Sequence, residues 1–146
     1  MIDITDKETV SREARATGEI TLKGSTIKTI IARKVKKGDT IETARIAGTM
    51  AVKNTSGIIP YCHPIPVMSI DFDFKIEEYR IEVFCTVKAI YRTGVEMEAL
   101  SGVETALLTI WDMVKYLEKD ETGNYPDTEI GNIHVVYKKK GEFPAS

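Results

Sequence analysis

The sequence holds few of the residues that most often carry metal or thiol chemistry. It has two cysteines and two histidines: Cys62, Cys85, His63 and His134. Structural zinc sites draw on paired ligands at spacings such as C-x₂-C or H-x₃-H, and no such pair occurs, so no metal site is expected. A secretory pattern is missing as well. "MIDITDKETVSREARATGEI" has no apolar stretch behind a positive start, which argues against a signal peptide. Two unlinked thiols and a cytoplasmic location are the expectation. No apolar run approaches the roughly 20 residues needed to span a bilayer, so no membrane partner is expected. Basic surplus is also lacking. The net charge is −2, which gives no nucleic-acid footprint, and any bound anion has to be held by a local cluster.

What the chain does have is a hydrophobic share of 42%, enough for one packed core in a single domain spanning residues 1–146. Residues 1–17 are polar without a clear period and are expected to form a flexible arm. Residues 138–146 are expected to be a flexible tail. "GEITLKG" alternates and predicts a short strand. Ser25 is placed to cap a helix through "TIKTIIARK", and Asp39 or Thr40 a second helix. That second helix has a small apolar side of Ile41, Ala44, Ile46, Ala47 and Ala51, and it ends over Asn54–Gly57. "VMSIDFDFKIE" and "YRIEVFCTVKAIYR" then alternate with period two and predict an antiparallel hairpin with one buried face. A long helix follows from about Glu96 to Lys119, and "IGNIHVVYKK" reads as a last strand. This order predicts an α+β domain with helices on one face of an antiparallel sheet.

Two features carry the candidate chemistry. At 100° per residue, Leu100, Val103, Leu107, Ile110, Trp111 and Val114 form the apolar side of the long helix. Glu98, Thr105, Asp112 and Lys115 fall opposite, with Asp112 and Lys115 as surface neighbours. From the wheel alone, this polar stripe reads as an ordinary solvated side carrying a weak ion pair. Glu98 and Asp112 are also about 21 Å apart along the axis, too far for one compact site in one chain.

The second feature is "GIIPYCHPIPV", residues 57–67. Adjacent Cys62 and His63 point in different directions in extended chain and rarely share a metal. Nothing in the sequence activates Cys62 as a thiolate, so a structural thiol is expected. His63 is either a turn histidine bonded to backbone or a functional side chain. Pro60, Pro64 and Pro66 stiffen the corner, and one of their peptide bonds is a candidate for the cis form.

Taken together, "MIDITDKETVSREARA", "KKGDTIETARIAGTMAVKNTSGIIPYCHPIPV" and "RTGVEMEALSGVETALLTIWDMVKYLEK" resemble the MoaC family, the cyclic pyranopterin monophosphate synthases of molybdenum cofactor biosynthesis. The resemblance covers nearly the whole chain. It implies a ferredoxin-like fold and a homo-hexamer, a trimer of dimers with sites at subunit interfaces. The implied substrate is 3′,8-cyclo-7,8-dihydroguanosine 5′-triphosphate, and the implied products are cyclic pyranopterin monophosphate and pyrophosphate. Asp112 and Lys115 would be the catalytic acid–base pair. Tyr61, Cys62 and His63 would bind substrate, and Glu96, Met97 and Glu98 would face its base, with Glu98 accepting from a guanine-type edge. Arg12, Lys37, Lys53 and Arg92 would grip the triphosphate, with Lys37 chosen over neighbouring Lys36. No cofactor is implied, although Mg²⁺ accompanying the triphosphate is an expectation. The tail "NIHVVYKKKGEFPAS" departs from the glycine-rich family ending. Two alternatives stay open on the residues alone: a nucleotide-binding module without catalysis, and a structural oligomer.

Overall fold

The computed structural model describes residues 1–141. In chain order its elements are β1 (Val10–Thr21), α1 (Gly24–Ile31), α2 (Thr40–Lys53), α3 (Thr55–Ile58), β2 (Val67–Ile76), β3 (Arg80–Tyr91), α4 (Glu96–Glu118) and β4 (Glu129–Lys140). The strands form one antiparallel sheet in the order β2-β3-β1-β4. Helices packed against such a sheet give the α+β domain that the element order predicts, in the ferredoxin-like arrangement that the family resemblance implies. α4 packs on β1, β3 and β4, while α2 lies along α4 and reaches β2. The core lies between them. Ala14, Ala16, Ile20, Val83, Cys85 and Val87 come from the sheet, and Val103, Leu107, Ile110 and Val114 from α4.

β1 departs most from expectation. It begins at Val10 rather than near Gly18, so residues 10–17 of the expected arm belong to a central strand. Its inward positions are Val10, Arg12, Ala14, Ala16, Gly18 and Ile20, every second residue, and the four between Val10 and Ile20 are too small or too polar to show as alternation. Close approach of α4 explains the small residues. A Cβ on Gly18 would lie 2.9 Å from side-chain atoms of both Leu107 and Val103. The α2–α4 crossing obeys the same geometry, since a Cβ on Gly48 would come within 2.9 Å of the Gly102 carbonyl oxygen.

Smaller corrections follow from tertiary position. Ser25 does not cap α1; Lys23 occupies the N-cap position and no local side chain caps the helix. Asp39 does cap α2, accepting from the Glu42 amide at 3.0 Å. α2 buries Ala44, Gly48, Ala51 and Val52, whereas Ile46 faces outward. The expected buried face of β2 is closed only at Phe72, with Met68 and Ile76 exposed, because β2 is an edge strand. Residues 138–140 of the expected tail complete β4, and residues 142–146 lie outside the described residues. Among the described residues no peptide bond is cis, so the proline corner is built from trans bonds. No helix among them is long and apolar enough to cross a membrane.

Candidate functional site

The candidate residues fall into two groups, one at each end of α4. The first is built where the loop between α1 and α2 crosses the last turns of α4. The Lys37 ammonium donates to Asp112 Oδ2 at 2.9 Å and to the Asp112 carbonyl oxygen at 3.0 Å. Lys115, one turn further along α4, reaches Asp112 Oδ1 at 3.1 Å. The carboxylate is therefore gripped on both oxygens. Hydrogen bonds from Lys37 first, and then from Lys115, hold its pKa below the ordinary aspartate value. All three side chains remain substantially exposed. The structure also separates Lys37 from Lys36. The Lys36 ammonium sits over the Tyr116 ring, 5.4 Å from its centroid, and its amide donates to the Tyr116 hydroxyl at 2.8 Å.

The second group forms around the proline corner. α3 ends at Ile58, and the Cys62 amide returns to the Ile59 carbonyl at 3.1 Å. That turn lays Cys62 over the first turn of α4, with Sγ 3.7 Å from Glu98 Oε2. Glu98 is only 2% exposed, although the helix wheel places it on the solvated side. The corner covers the Glu98 end of a stripe that stays exposed at Asp112 and Lys115. Glu98 Oε1 has no hydrogen-bond partner. Burial, as the leading cause, pushes the Glu98 carboxyl above the ordinary glutamate value, and burial and then Glu98 push the Cys62 thiol up. A thiol held in its neutral form is a weak nucleophile.

His63 is half-buried and lines a cleft of about 560 Å³ with Met1–Thr5, Tyr91 and Arg92. Arg92 donates to the Thr5 carbonyl at 2.8 Å. Arg12, on the buried face of β1 and 9% exposed, donates to the carbonyls of Tyr91 at 3.3 Å and Arg92 at 3.2 Å. Neither arginine has a carboxylate partner among the described residues. One guanidinium, Arg92, and one imidazole, His63, thus line an open cleft together with the Asp3 carboxylate, and Arg12 lies outside it, bonded to the Tyr91 and Arg92 carbonyls. Glu96 is tied to Lys138 of β4 at 3.1 Å.

Among the described residues, Glu96 and three further candidates make no polar contact with either cluster. Tyr61 and Met97 are exposed, and Lys53 stands in the exposed last turn of α2. Among the described residues, no group of three or more His, Cys, Asp or Glu side chains gathers to hold a metal ion. The sequence reading missed two charged residues that the fold recruits. Lys138 was placed in the tail, and Glu118 went unremarked although it lies four residues after Val114, in phase with the apolar stripe. Glu118 is fully buried.

Comparison with known proteins decides the family. The MoaC family model matches residues 1–141. The chain belongs to the MoaC family. Among curated relatives, a protein of Archaeoglobus fulgidus is 60% identical over 141 residues, 97% of this chain and 90% of its own. One of Thermoplasma acidophilum is 56% identical over 140 residues, 96% of this chain and 98% of its own. One of Thermococcus kodakarensis is 55% identical over 142 residues, 97% and 91% respectively. Each is named a probable cyclic pyranopterin monophosphate synthase. As a MoaC family member the chain is an enzyme, a lyase of molybdenum cofactor biosynthesis.

Proposed function

We propose that this enzyme converts 3′,8-cyclo-7,8-dihydroguanosine 5′-triphosphate to cyclic pyranopterin monophosphate and pyrophosphate, at a site completed by two subunits. The observation that carries this reading is the separation of the two clusters on one straight helix. Asp112, Lys37 and Lys115 stand at one end and Cys62, His63, Glu98, Arg12 and Arg92 at the other. Glu98 and Asp112 lie about 21 Å apart along the axis. A single nucleotide bridges such clusters only if they come from different copies of the chain. Leu108 and Met97, exposed on α4 at 64% and 44%, offer apolar surface near the two clusters for a second copy to cover. The assembly would be the hexamer of three dimers.

The residues suit the chemistry in distinct ways. Opening and re-closing the bicyclic base needs proton donors and acceptors at fixed positions. Asp112, kept ionised by two ammonium groups, accepts, and Lys115 donates. Attack of a sugar hydroxyl on the α-phosphate expels pyrophosphate, and the charge on that leaving group needs cations. Arg12, Arg92, Lys53 and Lys37 would supply them, and Mg²⁺ would arrive with the triphosphate. His63, Cys62 and Tyr61 present the corner to the substrate, with Glu96, Met97 and Glu98 on the base side. Glu98 lies closed behind Cys62, so base recognition by Glu98 requires the corner to shift. Its unpartnered oxygen is then free to accept a guanine-type N–H.

The test is pyrophosphate release from the cyclic dihydroguanosine triphosphate by the native oligomer. Asp112→Asn should fold normally and lose about 10²–10⁴-fold in turnover, the usual contribution of acid–base catalysis. Mixing Asp112→Asn with His63→Ala, each inactive alone, should restore part of the activity in hybrid oligomers. No pyrophosphate from the wild-type oligomer would remove the reaction assignment. Failure of the two inactive variants to complement in hybrid oligomers would remove the shared site.

A further inference from the structure

The contact between Lys37 and Asp112 joins two elements that the sequence holds 75 positions apart. Lys37 lies in the stretch from Arg33 to Asp39 that links α1 to α2. This link has positive φ at both Arg33 (56°) and Gly38 (121°), so it doubles back sharply. Several contacts pin it. Its amides return to α1, Arg33 to Ile30 at 3.0 Å and Lys34 to Thr29 at 3.1 Å, and Val35 is buried in the core. The contact nearest Lys37 is different in kind, because it reaches across to α4. The Lys36 amide donates to the Tyr116 hydroxyl at 2.8 Å, and the Lys36 ammonium lies over the same ring.

We propose that Tyr116 is a positioning residue, whose hydroxyl fixes the α1–α2 link on α4 and so sets Lys37 against Asp112. Tyr116 sits beside Lys115 on α4, so one helical turn carries Asp112, Lys115 and the anchor for Lys37 together. Without the anchor, the link keeps its contacts to α1 and the core, and the two-pronged hold of Lys37 on the Asp112 carboxylate and carbonyl rests more heavily on a long, half-exposed lysine stem. Such a stem has the rotamer freedom to leave the carboxylate for solvent. The ring contact with Lys36 reinforces the same geometry. The charged and titratable groups facing Asp112 are Lys37 from the link and Lys115 from its own helix, with Lys36 and Tyr116 beside them. This inference rests on the proposed role of Asp112 for its kinetic consequence but not for its structural one.

The test combines Tyr116→Phe, Lys37→Met and the double variant. Each folded oligomer is read in two ways. Side-chain ¹³C NMR of Asp112 reports how firmly Lys37 is held. Tyr116→Phe should raise the Asp112 titration midpoint part of the way to its value in Lys37→Met, and in the Lys37→Met background it should add nothing. kcat/KM should fall about fivefold in Tyr116→Phe, the ratio that corresponds to one ordinary hydrogen bond, and should not fall further when Lys37 is already Met. A purely structural tyrosine predicts additive losses and an unmoved Asp112 midpoint, and that result overturns the proposal. Full activity of Lys37→Met with the expected NMR shifts would instead count against Lys37 in catalysis while leaving the positioning intact.

Discussion

Replacement of Glu118 tests the packing beneath the Asp112 cluster. Its carboxylate is fully buried and serves three donors. The Lys23 amide, at the N-cap of α1, is shared between the two oxygens at 3.3 and 3.2 Å. The Thr128 hydroxyl donates at 2.8 Å, and the Thr26 hydroxyl donates to the other oxygen. α1 has no local side-chain cap, so a carboxylate from α4 does that work across the fold, where negative charge also favours the helix N-terminus. Glu118→Ala strands the Thr26 and Thr128 hydroxyls in places only 1% and 8% exposed. At about 1–3 kcal/mol for each of the two stranded hydroxyls the loss is about 2–6 kcal/mol, the Lys23 amide being near enough to the surface to find water. For a chain of this size that corresponds to a Tm lowered by roughly 5–20 °C. Glu118→Gln keeps the volume and one acceptor but sets an NH₂ among donors, and should lose about half as much. Near-UV circular dichroism of the Trp111–Tyr125 edge contact follows the melt at fixed protein concentration. A Glu118→Ala protein melting within about 2 °C of wild type would refute the reasoning, since less than 1 kcal/mol would then depend on the carboxylate.

Two further outcomes follow from the second cluster. The raised pKa of Glu98 means that the folded state holds its proton more tightly than the unfolded chain does. The stability this contributes is present at low pH and is lost as pH rises through the folded-state value. Glu98→Gln should therefore match wild type at about pH 4 and become progressively more stable relative to it toward about pH 8; a Tm difference that stays constant over that range would refute the burial argument. In alkylation at neutral pH, Cys62 should react more slowly than a free thiol, because burial and Glu98 raise its pKa. Cys85, pushed up to about 12 by burial in the core, should not react until the protein unfolds. Rapid labelling of either thiol in the native protein would contradict these environments.

Much of this enzyme was legible in the chain. The helices are legible because side chains three and four apart share a face whatever they later pack against. The hairpin is legible from period two. The Asp112–Lys115 pair is local to one helix, and the family motifs are contiguous. The first part of β1 is hidden because α4 approaches so closely that the inward residues between Val10 and Ile20 are an arginine, two alanines and a glycine, which give hydropathy little to detect. Glu98 was misplaced because a helix wheel knows nothing of a loop arriving from 36 residues away to cover it. Glu118 is visible only as a charge in phase with the apolar stripe, and two of its three donors, the Lys23 amide and the Thr26 hydroxyl, lie 95 and 92 positions away.

The sequence by itself therefore determined the element order, the family, and which residue types are available for acid–base and phosphate chemistry. Tertiary structure decided their partners. It chose Lys37 rather than Lys36 for Asp112, joined Arg12 to the carbonyl of Arg92, which shares a cleft with His63, and left the two clusters at opposite ends of one helix. The physical reason is that periodicity encodes which face a residue takes on its own element. Burial, pKa and ion pairing depend on what another element brings against that face.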